Sequence, residues 1–343
     1  MQGQLQRLHL QQPIRVGLLL NRNSRLNREN SWEERALSLL PSELVRATSR
    51  LEELDEALIH LFHKQGINVL AICGGDGTLH HTLNALWRLS PTLELNFGPG
   101  VLPPILVLRG GTMNILAGSL GLEEQPFTLL EKFLRRYEHG ILGELPLTEV
   151  PFLEVTTEKW GSRIGFVLGS SLTVVCLDLY DHRFGGGFSG LWKFLQTVVT
   201  GFLFKTKFWQ ENKHLLEDAP GFLVLDEQRS EALAVVASTI DITLLRGWIK
   251  GLIVNAQHPE AFRVRVLDVI STRQLVSLLH RLLLGQGGKG IRDFTDVRNL
   301  RLDGDFSLDG ELYQWKEEGE GEQRVDVRCP PRRFSFIKPF LDW

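Results

Sequence analysis

Up to about residue 145, short apolar runs alternate with longer stretches of helical spacing, the pattern of βα units laid on a parallel sheet. VGLLL (16–20) is apolar without a break, as a strand covered on both faces should be, and VLAIC (69–73) and ILVL (105–108) repeat it. In LEELDEALIHLFHKQG (51–66), Leu51, Leu54, Leu58, Leu61 and Phe62 fall at helical spacing, and Gly66 stands where that helix should stop. A further helix is expected from Thr78, because Leu79, Leu83, Leu86 and Trp87 recur at i, i+4, i+7 and i+8. Beyond about 145 the period changes to two. Phe262, Val264 and Val266 alternate with Arg263 and Arg265, and GFLVLDEQRSEALAVVAS (221–238) reads as two strands about a polar turn. STRQLVSLLHRLLL (271–284) reads as a helix on this half. The expected fold is α/β, with an N-terminal parallel-sheet domain over residues 13–145 and a C-terminal, mostly antiparallel β-sandwich domain over residues 146–329. RRFSFIKPFLDW (332–343) is a candidate to complete the first domain, through residues 330–343.

A chain of 343 residues is long enough for two such domains. Its 38 basic and 41 acidic residues leave a net charge of -3, so no global positive field draws it to nucleic acid or to an anionic membrane. Any phosphate chemistry must be local. Cys73, Cys176 and Cys329 are too few for a disulfide framework and match no zinc spacing, which points to a reducing cytosol. MQGQLQRLHLQQ lacks the basic and apolar regions of a secretory leader, and no uncharged apolar run approaches the ~20 residues of a membrane span. No transmembrane segment is expected.

Three loops leave the carboxyl ends of the apolar strands: NRNSR after VGLLL, GGDGT after VLAIC and RGGT after ILVL. Ligands bind at such ends in an open parallel sheet, so the loops are expected along one edge. Glycine lets backbone N–H groups approach an anion with no side chain between, and a helix start adds about half a positive charge. That combination suits phosphate. Asp76 conflicts with it, since a carboxylate repels phosphate unless a cation or proton intervenes. Three roles fit it: a helix cap worth about 1 kcal/mol, a magnesium contact, or acceptance of a substrate proton. No GxxxxGK[ST] pattern occurs, which excludes P-loop machinery. GQGGKG (285–290) lacks that spacing and reads as a surface loop.

GGDGTLHHTLNAL (74–86), RGGTMNILAGSLG (109–121) and LDGEL (308–312), in this order, resemble the diacylglycerol kinase catalytic-domain family, which includes bacterial lipid kinases and sphingosine kinases. The resemblance implies an ATP-holding α/β domain, a β-sandwich domain, a catalytic cleft between them, and transfer of the γ-phosphoryl group to a lipid hydroxyl. Mg2+ would be the cofactor and ATP the co-substrate. By the same likeness Gly74, Gly75, Asp76, Gly77 and Thr78 form the nucleotide loop, Gly111, Thr112 and Asn114 its second wall, and Asn21 and Ser24 fit the family's first loop. The chain departs from the pattern where Ile115 follows Asn114 in place of an acidic residue, and where Arg22 and Arg25 replace a proline and a glycine. No metal ligand is assigned.

RLDGDFSLDGELY (301–313) holds two Asp-Gly turn signals. The resemblance separates them, matching Asp309, Gly310 and Glu311 to the family's acidic motif and leaving Asp303 as an ordinary turn. A lipid hydroxyl is a weak nucleophile whose proton needs an acceptor, and Asp309 is the candidate base. Glu311, two residues on, would share its face in a strand and orient magnesium or a water.

The remaining features read as ordinary. Adjacent His80 and His81 are expected on a solvated helix surface, about 100° apart, where they cannot share a metal. Asp181 and His182, before Gly185–Gly187, read first as a long connection and second as a mobile loop that could admit substrate. LWKFLQTVVTGFLFKTKFWQ (191–210) reads first as packing against the sandwich and second as a membrane-surface contact. The expectation is a cytoplasmic ATP- and Mg2+-dependent lipid kinase, peripheral at a membrane. The alternatives are a kinase for a soluble acceptor such as NAD, and a non-catalytic lipid- or nucleotide-binding module.

Overall fold

The computed structural model describes residues 6–9, 13–24, 27, 32–97, 102–111, 114–138, 144–184, 187–217, 221–225, 228–244, 249–252, 258–268, 274, 281, 286–315 and 323–338. The chain divides into two compact units, Met1–Pro151 with Arg332–Trp343, and Phe152–Pro331. The first contains β1 (Gln6–His9), β2 (Val16–Asn21), α1 (Trp32–Leu39), β3 (Val45–Thr48), α2 (Glu53–Ile59), β4 (Val69–Gly74), α3 (Asp76–Phe97), β5 (Ile105–Arg109), α4 (Ile115–Ser119), α5 (Pro126–Glu138) and β6 (Glu144–Val150). The second contains β7 (Leu153–Thr157), β8 (Gly161–Gly165), β9 (Val167–Ser171), α6 (Leu172–Phe184), α7 (Gly187–Phe204), α8 (Lys207–Glu217), β10 (Gly221–Leu225), β11 (Gln228–Ala232) and β12 (Ala234–Ser238). It continues with β13 (Ile242–Leu244), β14 (Ile249–Leu252), β15 (Phe262–Leu267), β16 (Ile291–Val297), β17 (Asn299–Asp303), β18 (Phe306–Leu308), β19 (Glu311–Tyr313) and β20 (Arg324–Arg328), before β21 (Phe334–Ile337) returns to the first unit.

A seven-stranded sheet ordered β1-β6-β21-β5-β4-β2-β3 organises the first unit. β3, β2, β4, β5 and β21 are parallel; β6 is added antiparallel beside β21, and β1 antiparallel beside β6. The unbroken apolar runs are its buried centre: Leu18, Leu19, Leu20, Leu70, Ala71, Ile105 and Leu106 are at most 1% exposed. Phe334, Phe336 and Ile337 of β21 are fully buried between β5 and β6, so the last segment completes this sheet. From β2 the chain steps outward to β3, then returns across β2 to β4. The sheet's switch of direction therefore falls between β2 and β4, where open α/β sheets bind ligands.

The helix expected over 51–66 divides into α2 and a π-helical turn at His60–Lys64, and it ends at Gly66 in the left-handed region, φ +61. α3 begins at Asp76, and His80 on it is buried, which corrects the solvated position expected for it. Leu79, Thr82, Leu83, Ala85 and Leu86 are buried too, so the helix is covered around much of its girth and not along one stripe. His80 stacks edge-on against His81 at 5.2 Å.

In the second unit, antiparallel sheets ordered β11-β10-β17-β20-β7-β8 and β16-β15-β12-β9-β18-β19 enclose one apolar core. Leu153, Leu223, Leu300 and Val325 enter it from the first sheet, and Leu168, Val235, Val264 and Phe306 from the second. The stretch 221–238 forms three strands, not two, because the chain breaks at Leu233 between β11 and β12 and changes sheet. Asp181 and His182 close α6 and are not in a long connection. The helix expected at 271–284 lies outside the described residues apart from Gln274 and Arg281, both helical. The segment 191–210 does pack on a sheet: Trp209, Phe202 and Val198 meet Leu233, Leu267 and Ile291. No described helix is long and apolar enough to cross a membrane.

Candidate functional site

Parallel pairing aligns the strand ends, with Leu20 opposite Cys73 and Gly74 opposite Arg109. Three loops therefore start together, and cross-links hold them. Asn21 Nδ2 donates to Thr78 Oγ1 at 2.7 Å, joining the first loop to the second. The Gly110 amide donates to the Gly74 carbonyl at 2.7 Å, and the Ile115 amide to Asp76 Oδ1 at 2.9 Å, joining the second to the third. Asp76 is the first residue of its own helix yet caps the next one. The cap weighed from spacing was of its own helix, and the bond observed is to the start of the next one.

Close packing explains most of the glycines. A Cβ on Gly111 would stand 2.4 Å from Gly75 Cα, and one on Gly110 would stand 2.8 Å from Gly74 Cα. A Cβ on Gly74 would stand 2.4 Å from Thr78 Cβ. The backbones of GGDGT and RGGT lie against each other, and no side chain but hydrogen fits between. Asn114 adopts φ +50, the left-handed region asparagine tolerates, with Nδ2 donating to the Gly111 carbonyl at 2.6 Å. Thr112 lies outside the described residues, as does Arg25. Arg22 forks onto Glu33 with two bonds of 2.7 Å, so its guanidinium is engaged beside the loop, and this bond holds the Glu33 carboxyl below its usual range.

Ile72, Gly74, Gly75, Asp76, Leu79, Val107, Asn114 and Ala117 line a small recess under the crossing loops. The first turn of α3 adds amides that a helix leaves without internal acceptors, together with the positive end of its dipole. Among the described residues no group of three or more His, Cys, Asp or Glu is placed to hold a metal. Such a site fits magnesium only as an ion carried by nucleotide phosphates, with Asp76 the carboxylate at the loops; magnesium commonly binds through one or two carboxylates plus phosphates. Cys73 beneath is a buried thiol pushed up to about 12 by burial.

In the second unit, Asp309 and Gly310 form the two-residue turn between β18 and β19, at φ +54 and +93, as a type I′ hairpin requires. Asp309 is therefore related to Glu311 by a turn, and the strand alternation expected to put them on one face does not run through it. The Phe166 and Val167 amides donate to Asp309 Oδ1 at 2.8 and 2.9 Å, and the Asp309 amide donates to the Val167 carbonyl at 2.8 Å. Hydrogen bonds to a charged acceptor contribute about 1.5–3 kcal/mol each, enough to fix the carboxylate. Sequence reasoning missed these donors. Their one signal was Gly165, where a Cβ would stand 2.5 Å from Leu308 Cγ and 2.7 Å from Asp309 Oδ2. Burial pushes the Tyr313 hydroxyl up to about 12, opposed by Arg163 and aided by the charges of Glu311 and Asp309.

Residues 15–141 match the family model described as the diacylglycerol kinase catalytic domain. Among solved structures, "A putative diacylglycerol kinase from Bacillus anthracis str. Sterne" superposes with a TM-score of 0.60 at 14% identity, covering 95% of this chain and 97% of that one. A structure described as a diacylglycerol kinase from the same organism gives a TM-score of 0.57 at 13% identity, with the same coverage. Identities this low show a shared fold and nothing finer. No curated protein sequence matches the chain significantly. Residues 15–141 are thus similar to the diacylglycerol kinase catalytic domain, a match that includes both glycine motifs and ends before the acidic motif at 308–312, and the chain shares the mixed α/β fold of these solved structures.

Proposed function

We propose that the chain is an ATP-dependent lipid kinase that transfers the γ-phosphoryl group to a lipid hydroxyl, diacylglycerol-like or sphingoid-like, at the cytoplasmic face of a membrane. The observation that carries the reading is the cross-linking of three strand-end loops at the sheet's switch point, through Asn21 to Thr78, Gly110 to Gly74 and Ile115 to Asp76. These cross-links hold in place the first turn of α3, whose amides and positive dipole end suit phosphate, and phosphoryl transfer depends mainly on positioning and charge neutralisation. Magnesium, bound with the nucleotide, would neutralise charge building on the β- and γ-oxygens. Asp309, its orientation fixed by two amides, accepts the hydroxyl proton. Glu311 would orient magnesium or a water. The free thiols of Cys73, Cys176 and Cys329 support a reducing compartment.

Incubating the purified chain with γ-labelled ATP, magnesium and a panel of acceptors tests this. Label on diacylglycerol or a sphingoid base supports the reading. Label on NAD alone replaces it with a soluble-acceptor kinase, and nucleotide binding without transfer to any acceptor reduces it to a binding module.

A further inference from the structure

From His182 to Gln210 there is no Asp or Glu, while Arg183, Lys193, Lys205 and Lys207 make this stretch basic in a chain of net charge -3. The stretch contains α7 and the start of α8, joined at Lys205 and Thr206. Lys205 takes φ +48, which ends α7. The Thr206 amide closes the turn onto the Gly201 carbonyl at 3.2 Å, and the Gln210 amide bonds the Thr206 carbonyl at 3.0 Å. On one side the turn is anchored, because Phe202 meets Trp209 edge-on at 5.4 Å and Trp209 is 7% exposed over Leu233, Leu267 and Ile291. Gly201 permits that approach, since its Cβ would already touch Trp209 Cβ at 3.2 Å. The other side holds the two most exposed large apolar residues described, Leu203 at 62% and Phe204 at 77%. Lys205 is exposed beside them, and the Lys207 side chain is 90% exposed, its Nζ 3.8 Å from Glu211 Oε1 in a loose surface pair.

We propose that the α7–α8 turn is a membrane-docking tip, with Leu203 and Phe204 entering the interface of an anionic bilayer while Lys205 and Lys207 meet lipid phosphates. A rigid turn showing two apolar side chains offers far less than the about 1,000 Å² that a stable protein interface buries. A bilayer needs no matching shape, and an apolar tip flanked by lysines suits its boundary between acyl chains and headgroups. With no described helix fit to cross a membrane, the contact lies on the surface. The inference adds a place of attachment to the lipid-kinase reading, and vesicle binding measured without nucleotide fails or succeeds independently of turnover.

The test is cosedimentation of the full chain with vesicles of phosphatidylcholine alone or mixed with phosphatidylglycerol. The native chain is expected to bind the mixed vesicles, more weakly as salt rises. The double variant Leu203→Ser, Phe204→Ser should lose about tenfold or more in partitioning. Lys205→Glu with Lys207→Glu should lose the preference for anionic vesicles, and both variants should keep native melting behaviour because the changed side chains are exposed. Native-like vesicle binding by both variants overturns the proposal. So does a shift from dimer to monomer on sedimentation of the Leu203, Phe204 variant, which would make the turn an interface between copies.

Discussion

Asp76 allows charge and cap to be separated experimentally. Its Oδ1 accepts the Ile115 amide at 2.9 Å, tying the GGDGT loop to the start of α4. Asp76→Asn keeps an oxygen in that place. A hydrogen bond to a charged acceptor contributes about 1.5–3 kcal/mol and a neutral one about 1 kcal/mol, so the expected loss of stability is about 1 kcal/mol. Asp76→Ala removes the acceptor altogether, and the expected loss rises to about 2 kcal/mol, the upper end for a helix cap. Turnover should follow charge instead. If Asp76 works on magnesium-bound nucleotide, Asn and Ala are expected to impair phosphoryl transfer alike, seen as a raised ATP requirement or a lowered kcat. Urea unfolding followed by tryptophan fluorescence, run beside a labelled-ATP assay, reads both quantities. Full turnover by Asp76→Asn would leave Asp76 a cross-loop cap and nothing more. An Asp76→Ala protein as stable as the native chain would show that the bond to Ile115 does not hold the loops together.

Gly111→Ala sets a Cβ 2.4 Å from Gly75 Cα, a clash between backbones that no rotamer relieves; a loss of about 1–3 kcal/mol in thermal unfolding, with impaired nucleotide use, is expected. Asp309→Asn keeps an oxygen for both amides and tolerates φ +54, so a loss of about 1–2 kcal/mol of stability is expected from the missing charge, while turnover falls about 100-fold or more with ATP affinity kept; full activity refutes the base. Burial opposes the charge of Asp293, but Arg265 and Arg263 outweigh it and hold the carboxyl below its ordinary 3.8. A lowered folded pKa gives stability that is complete above 3.8 and lost as pH falls through the folded value, so the native chain should lose more stability on acidification below pH 3.8 than Asp293→Asn does. Asp293→Ala, which removes both bonds the carboxylate accepts from the 6%-exposed Arg265, should cost about 1.5–3 kcal/mol at neutral pH by chemical denaturation. Cys73, fully buried with its thiol near 12, should resist iodoacetamide at pH 8 in the native chain and react after unfolding; native-state labelling refutes that burial.

Much was legible where one local rule governs. Unbroken apolar runs gave β2, β4 and β5, since a strand covered on both faces has no polar side to show. Gly66 announced a helix end and the Asp309-Gly310 pair a turn, and the left-handed backbone at all three is what those signals require. Local rules failed where a residue serves a partner distant in sequence. His80 was buried by its helix being covered on more than one side, and Asp309 left the strand register when the turn took it.

By itself, then, the sequence determined the strand-loop-helix grammar of the first unit, the antiparallel second, and the glycine and acidic motifs, because periodicity and backbone freedom are properties of neighbouring residues. Tertiary structure alone decided that β21 closes the first sheet, that Asp76 caps a helix begun 39 residues later, and that Phe166 and Val167 hold Asp309 from 143 and 142 residues away. Those pairings depend on which strand ends meet when the sheets assemble, and no local pattern of side chains encodes that meeting.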